Sequence, residues 1–414
     1  MSTQSIPVSV GAWHGDHEET LHFPKTWEVE VCEMKGHNAP ALGDDEILAR
    51  LNAPINSPPL QEISSGKQRV VILFDDLCRP TPAARIVPSV LRELRAGGIQ
   101  DDQIRFVAAS GAHQAMTEEE FAKKLGMEVC ERYPVYNHHP FDHNVEIGKT
   151  SFGTPLFING EAMSCDLKIG IGGLIPYHSK SHLFGGGAKI VLPGVSGIET
   201  ITHHHREVSR QPSESDPDGF SAERLNIEEA AAMAGLNFKI DLLLNGRREV
   251  ADLVAGDAVK SFREGCRRGR QFYGTKVAPG ADIVVVNAYP QATQSYKALW
   301  CVESSVREGG DVVLLSHRPE GMQQFHYLFG RFGGKRGGDL RGARHRPRFP
   351  QVRQMTVVCP YVTKLDTETF RQAERMVFCK RWEEALRELL PHHGDGTRVA
   401  VYPCAPIQMA MDAK

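Results

Sequence analysis

Three short apolar runs, Arg69–Phe74, Ile104–Ala109 and Leu167–Ile171, constrain this chain most. Each has the length and composition of a buried strand. Each is followed at once by a loop of polar, reactive or glycine-rich residues. The first runs into Asp75-Asp76-Leu77-Cys78-Arg79-Pro80-Thr81-Pro82, the second into Ser110-Gly111-Ala112-His113, and the third into the stretch from Pro176 to His205. After the first loop, Thr81 reads as an N-cap with Pro82 at the first helical position. Ile86, Val87, Val90, Leu91 and Leu94 then line one helical face until Gly97-Gly98, and Pro88 is expected to kink that helix. Thr117 and Glu120 form a capping box for a second helix that ends near Leu125. Strands of this kind alternating with amphipathic helices predict an α/β fold with a mainly parallel sheet. In such sheets ligands bind outside the carboxyl ends of the strands. The loops 75–82, 110–113 and 176–189 are therefore expected to share one site.

The pattern restarts near residue 270. Asp282–Asn287, Gly310–Ser316, Val357-Val358 and Arg398–Tyr402 read as strands, and Ala292–Val306 as a helix. Two α/β domains are expected, with the active site in the cleft between them. Residues 1–268 would form the cofactor-binding and catalytic domain and residues 269–414 the domain that adds substrate contacts. Within the first 65 residues, Trp27–Val31 alternates like a strand and Asp44–Leu51 reads as a short helix.

Composition excludes several classes. The net charge of −3 gives no basic field for nucleic acid. No apolar run is long enough for a membrane span, and the N-terminus lacks the pattern of a secretory signal. Nine scattered cysteines without a CxxC motif fit reduced thiols and a cytoplasmic setting. The stretch 331–348 carries seven Lys or Arg but no aromatic platform beyond Phe332, and reads as a solvated loop.

The stretch from Pro176 to His205 is the richest in chemistry. Gly185–Gly187 permits close backbone approach to a ligand, and Lys189 follows as an anion-binding group or nucleophile. The run is not a phosphate-binding P-loop, since the spacing and the Ser/Thr after Lys are missing. Ile190–Leu192 reads as a short strand stopped by Pro193-Gly194. His178 and His182 have helical metal spacing, but no Glu follows His178, as a zinc protease requires. Adjacent His203, His204 and His205 point in different directions, so one of them is a more plausible ligand than three.

Taken together, DDLCRPTP (75–82), SGAHQAMTEEE (110–120), IGGLIPYH (171–178), GGGAKIVLPGVSGIETI (185–201) and His205 resemble the nickel-dependent lactate racemase family. The five segments occur in the family's order. The resemblance implies a nickel-pincer nucleotide, a pyridinium mononucleotide with two thiocarboxyl arms, tethered through one arm to Lys189. It implies that His205 ligates the nickel, a soft-donor arrangement suited to square-planar nickel(II). It implies that His113 and His178 act as acid and base on opposite faces of the substrate. Asp76 and Arg79 would lie at the cofactor and substrate, with the backbone of Leu77 and Cys78 near the cofactor.

The implied reaction is racemisation or epimerisation of a 2-hydroxy acid by reversible hydride transfer through a 2-keto acid. Removing the carbon-bound hydrogen as a proton is difficult beside a carboxylate. Removing it as hydride, while a histidine takes the hydroxyl proton, is easier. The resemblance also implies cofactor-biosynthesis proteins as partners. In the second domain, Tyr296 matches the family's substrate segment, whereas Lys297 stands where Gln is usual and Trp300 where Lys is usual. A 2-hydroxy acid other than lactate is therefore expected. A C2-epimerase of a longer sugar acid is the close variant, and a zinc-dependent hydrolase built on the histidine cluster is the alternative from another class.

Overall fold

The computed structural model describes residues 2–177, 184–211, 220–319, 349–362 and 375–411. The chain divides into two compact units. One runs from Ala39 to Gly269. The other combines the residues up to Asn38 with the described residues from Arg270 onward.

The Ala39–Gly269 unit is built on a six-stranded sheet. Its spatial order is Val250–Gly256, Phe238–Leu244, Leu167–Gly173, Val70–Phe74, Ile104–Ala108, Val135–Asn137. All neighbours are parallel except the first pair, which is antiparallel. The chain builds outward from Val70–Phe74 to one edge, then returns to the other side of that same strand through Leu167–Gly173. This reversal makes a topological switch point between those two strands, and in open α/β sheets ligands bind outside the carboxyl ends of the strands at such a point. Val70–Phe74 is buried along its whole length, which explains its uninterrupted apolar sequence.

Helix positions differ in detail from the sequence expectation. The segment after Pro82 is a 3-10 turn over Ala83–Arg85, and the α-helix runs over Val87–Ala96 with Pro88 in its first turn. A proline there removes an N–H that has no helical partner anyway, so it causes no kink. Thr81 does not cap; its hydroxyl donates to Asp75 Oδ2 at 2.7 Å. Ile190–Leu192 is not a strand. Gly187–Ile190 forms a 3-10 turn and the chain turns onward through Pro193 and Gly194.

The other unit holds a second six-stranded sheet, in the order Met376–Cys379, Gln354–Val358, Val306–Leu315, Ala281–Asn287, Arg398–Tyr402, Glu28–Val31, parallel throughout. The four expected strands of the C-terminal half are all present. The first 38 residues, expected with the N-terminal domain, belong here instead: Glu28–Val31 pairs with Arg398–Val401, and Val8, Leu21 and Phe23 pack with Ile283, Val285 and Val313. That partnership spans most of the chain, so no local pattern announces it. The expected helix over Ala292–Val306 is a kinked 3-10 segment, Ala292–Cys301, followed by a short α-turn, Val302–Ser305. Among the described residues, no helix is long and apolar enough to cross a membrane.

Candidate active site

The loops that follow Val70–Phe74, Ile104–Ala108 and Leu167–Gly173 all start at the carboxyl edge of the first sheet. The first is held from below by Lys124, fully buried on the helix Glu118–Leu125. Its ammonium bonds Asp75 Oδ1 at 2.6 Å, the Asp76 carbonyl at 3.0 Å and the Arg79 carbonyl at 3.1 Å. Asp75 also accepts from the Gly173 N–H at 3.0 Å, which ties the loop to the neighbouring strand. Burial pulls the Lys124 pKa down, and the Asp75 charge opposes that shift. The loop is therefore cast rigidly on both sides of the switch point.

Asp76, only 4% exposed, points into this edge. Its Oδ1 accepts from the Cys78 N–H at 3.0 Å and its Oδ2 meets His113 Nδ1 at 2.6 Å. Burial pushes the Asp76 carboxyl up, but His113, Arg79 and Lys124 together hold it below the ordinary carboxylate range. A carboxylate only accepts, so His113 Nδ1 carries the hydrogen, and in the neutral imidazole Nε2 holds the lone pair. His113 is placed by the tight turn after Ala108: its N–H donates to Ser110 O at 2.9 Å. Gly111 has φ +56°, and its N–H donates to Gly194 O at 2.8 Å, so this turn stacks on the Pro193-Gly194 turn. A Cβ on Gly194 would lie 2.1 Å from Ile190 O, so only glycine permits that stacking.

Lys189 emerges from the Gly187–Ile190 turn. The glycines before it face the protein. A Cβ on Gly186 would meet Asp241 Oδ1 at 2.9 Å, and one on Gly187 would meet Arg224 at 2.5 Å and the Phe262 ring at 2.8 Å. Their positive φ values and close packing set the turn that aims Lys189. The Gly187 N–H donates to both oxygens of buried Asp241 at 3.0 Å, and Arg224 donates to Gly186 O at 3.0 Å. Asp241 is in turn paired with buried Lys239 at 2.7 Å.

The Lys189 ammonium lies over the Tyr177 ring at 5.1 Å, and among the described residues no hydrogen bond or close ion pair engages it. Burial, the opposing pull of Glu223 and the repulsion of Arg224 and Arg79 leave its pKa at about 8. Such an amine is partly neutral, hence nucleophilic, near physiological pH.

The histidine triplet ends the helix Ile198–Arg206, whose turn sends its members in separate directions. His203 meets Thr154 Oγ1 at 3.0 Å and His204, fully buried, meets Asn226 at 2.8 Å. His205 Nδ1 bonds the Ile201 carbonyl at 2.9 Å, so Nδ1 carries the hydrogen and Nε2 keeps a lone pair. Burial lowers the His205 pKa, and nearby Lys189 and His113 lower it further. These mutual influences tie Asp76, Arg79, His113, Lys189 and His205 into one neighbourhood. Glu223, on the helix Ala222–Met233, acts on Lys189, His205 and Tyr177 alike.

His178, expected as the second acid–base residue, lies outside the described residues, as do His182 and the basic stretch 331–348. Leu77 and Cys78 sit in the first loop, with Cys78 buried. In the other unit, Tyr296 is 45% exposed. Lys297 is partly exposed beside it. Trp300 is committed to packing: its indole N–H donates to Ala405 O at 2.8 Å and its ring meets Tyr402 edge-on at 5.9 Å. Sequence reasoning did not single out Asp241, Arg224, Glu223 or Lys124. The signal for the first was present, since Phe238–Leu244 reads as a buried strand interrupted by a Lys and an Asp.

The residues fit a lysine-tethered group with an imidazole-held soft metal: a nucleophilic amine and a neutral imidazole nitrogen stand close together, both directed by fixed partners. Asp76, Cys78 and His113 also bring three donor atoms together. There, however, the carboxylate is already spent on the histidine.

Comparison with known proteins gives the chain's relatives. Residues 14–216 match the lactate racemase N-terminal domain. The chain is 29% identical over 293 residues to a lactate racemase of Lactiplantibacillus plantarum, covering 68% of each. It is 26% identical over 295 residues to a lactate racemase of Thermoanaerobacterium thermosaccharolyticum, covering 68% of this chain and 67% of that one. The fold matches the lactate racemase apoprotein of the latter organism with a TM-score of 0.70 at 20% identity, covering 98% of this chain and 100% of the other. It also matches a Thermotoga maritima protein with a TM-score of 0.63 at 17% identity, covering 89% of this chain and 99% of that one. In sequence over residues 14–216 and in fold along nearly its whole length the chain is similar to lactate racemases, and that similarity marks it as an isomerase.

Proposed function

We propose that this chain racemises or epimerises a 2-hydroxy acid other than lactate, using a nickel-pincer nucleotide tethered to Lys189 and ligated through its nickel by His205. The observation that carries the reading is that the Lys189 amine, without a hydrogen bond among the described residues, lies near enough to His205 to lower its pKa, beside the His113–Asp76 couple. Bound there, the nucleotide would supply the electrophile that takes up and returns the hydride at C2, through a 2-keto acid.

The chain's own residues do the rest. His113 Nε2 takes the substrate hydroxyl proton, and the Asp76 carboxylate stabilises the imidazolium that forms. His178 is the proposed counterpart on the opposite substrate face. Arg79 offers a forked donor to the substrate carboxylate. Lys189 holds the tether, and Glu223 balances the charge around it. Tyr296 and Lys297 are the proposed contacts to the distal end of the substrate, with Trp300 behind them as packing. A lysine in that place suits an acid with a second polar or acidic group, which includes longer sugar acids. The zinc hydrolase reading is disfavoured, because His203, His204 and His205 each face a different partner.

The test uses protein from a host that makes the cofactor. A panel of single-enantiomer 2-hydroxy acids labelled with deuterium at C2 is incubated in ordinary water and separated by chiral chromatography. The reading expects inversion with the label kept in the product. Inversion with complete loss of label to solvent, or no inversion of any 2-hydroxy acid, contradicts it.

A further inference from the structure

We propose that His17, Glu19 and His317 form a second metal site, for a divalent transition ion such as zinc, in the unit formed by the chain's two ends. The three donors come from distant parts of the sequence. His17 and Glu19 sit two apart on the strand His17–Pro24, so both side chains project from the same face. His317 lies just past the carboxyl end of Val306–Leu315. The apolar contacts of Leu21 and Phe23 with Val313 and Leu315 bring the two strands together and fix the meeting of these side chains.

The geometry is that of metal ligands rather than of hydrogen-bond partners. Glu19 Oε1 is 3.8 Å from His17 Nε2 and 3.7 Å from His317 Nε2. Both separations are too long for hydrogen bonds. Ligand atoms about 2.1 Å from a shared tetrahedral ion stand roughly 3.4 Å apart, so the two carboxylate–imidazole separations need to close by only a few tenths of an ångström around an ion. All three donor atoms lie within 4.8 Å of one another. The imidazoles meet edge to face, with centroids 5.5 Å apart, and each presents Nε2 within 4 Å of the carboxylate.

One ligand is already oriented. His17 Nδ1 donates to the Gly15 carbonyl at 2.9 Å, which holds the hydrogen on Nδ1 and leaves the Nε2 lone pair for the metal. His317 Nδ1 is buried without a hydrogen-bond partner among the described residues, so the ring's polar anchoring must come through Nε2. Two imidazoles and one carboxylate are a common zinc donor set, and a fourth position is open to water because His17 and Glu19 are half exposed, at 47% and 43%. The metal would staple the Thr3–Val10 and His17–Pro24 hairpin to the strand-end loop of the parallel sheet. It is separate from His205, the proposed nickel ligand, which belongs to the other unit.

The full-length chain is titrated with Co²⁺, whose visible absorption reports four- or five-coordinate N/O sites. Wild type and the His205→Ala variant should each show this band with one tightly bound ion. His17→Ala, Glu19→Gln and His317→Ala should each lose it while keeping the wild-type circular dichroism. Zn²⁺ should raise the melting temperature of wild type but not of these three variants. An unchanged band in His17→Ala and His317→Ala, loss of the band in His205→Ala alone, or no binding by wild type overturns the proposal.

Discussion

Replacing Asp76 with Asn isolates the orienting role of one buried carboxylate. Its two oxygens do different work: Oδ1 accepts from the Cys78 N–H and Oδ2 accepts from His113 Nδ1. An amide has one acceptor and one donor, so it can satisfy only one of these two hydrogens. If it keeps the backbone N–H, its NH₂ faces His113 Nδ1 and drives the hydrogen to Nε2, the atom proposed to take the substrate proton. The imidazolium formed in the reaction also loses its counter-charge. Loss of a general base costs about 10²–10⁴ in rate, and a wrong-tautomer carboxylate-to-amide change costs about 10⁴ in the serine protease case. We expect a fall in kcat of about 10³, equivalent to about 4 kcal/mol in the barrier, with KM nearly unchanged. The assay is chiral chromatography on the preferred 2-hydroxy acid, with rates normalised to bound nickel. An Asn variant within threefold of wild type at equal nickel content refutes the assignment of Asp76 as the partner that orients His113.

Other consequences can be tested independently. Lys189 has a pKa lowered from 10.5 to about 8, so the cost of charging it is full below about pH 8 and is relieved as pH rises toward 10.5. Amine labelling of cofactor-free protein, read by peptide mass spectrometry, should find Lys189 half-reactive near pH 8; a midpoint near 10.5 contradicts this. Asp241→Ala leaves the Lys239 ammonium buried and unpaired, and should destabilise the Ala39–Gly269 unit by about 3–5 kcal/mol in denaturant unfolding. The double change Lys239→Met, Asp241→Leu should recover most of that loss, and equal midpoints for the single and double variants would count against the pairing. Lys297→Gln should raise kcat/KM for lactate relative to acids with a distal polar group, because the lysine favours substrates that pair with its charge; unchanged preference removes Lys297 from the substrate contacts.

Much of this architecture was legible in local sequence, for reasons that individual elements make plain. Val70–Phe74 is buried on both faces, so its sequence is uniformly apolar and its limits are sharp. The Thr117 cap is set by neighbours three residues away, and the side chain does accept from the Glu120 N–H at 3.3 Å. The strand Glu28–Val31 shows the opposite case. Its partners are Arg398–Val401, and an edge strand of four residues carries too little pattern to declare a sheet so distant in sequence. Ile190–Leu192 misled because a short apolar run fits a strand or any buried turn; here it packs under the sheet after a glycine-set turn.

The site followed the same division. His113, Lys189 and His205 stood out through motif and chemistry. The scaffold that aims Lys189 did not, because Asp241, Arg224 and Glu223 reach it from a later strand and a helix. For Asp76, the motif named the residue, and only the fold revealed that its carboxylate serves His113. Trp300 stood out as a departure from the family's substrate segment, whereas the structure uses its ring and N–H against Tyr402 and Ala405.

The central claim is that Lys189 carries the cofactor. Intact-mass spectrometry of protein purified from a cofactor-producing host measures this directly, with nickel quantified on the same samples. The account predicts a mass increase on wild type that maps to the Lys189 peptide, persists in His113→Ala and is absent from Lys189→Ala. A nickel-bearing adduct of the same mass on Lys189→Ala, or wild type that binds nickel with no added mass at all, would contradict it.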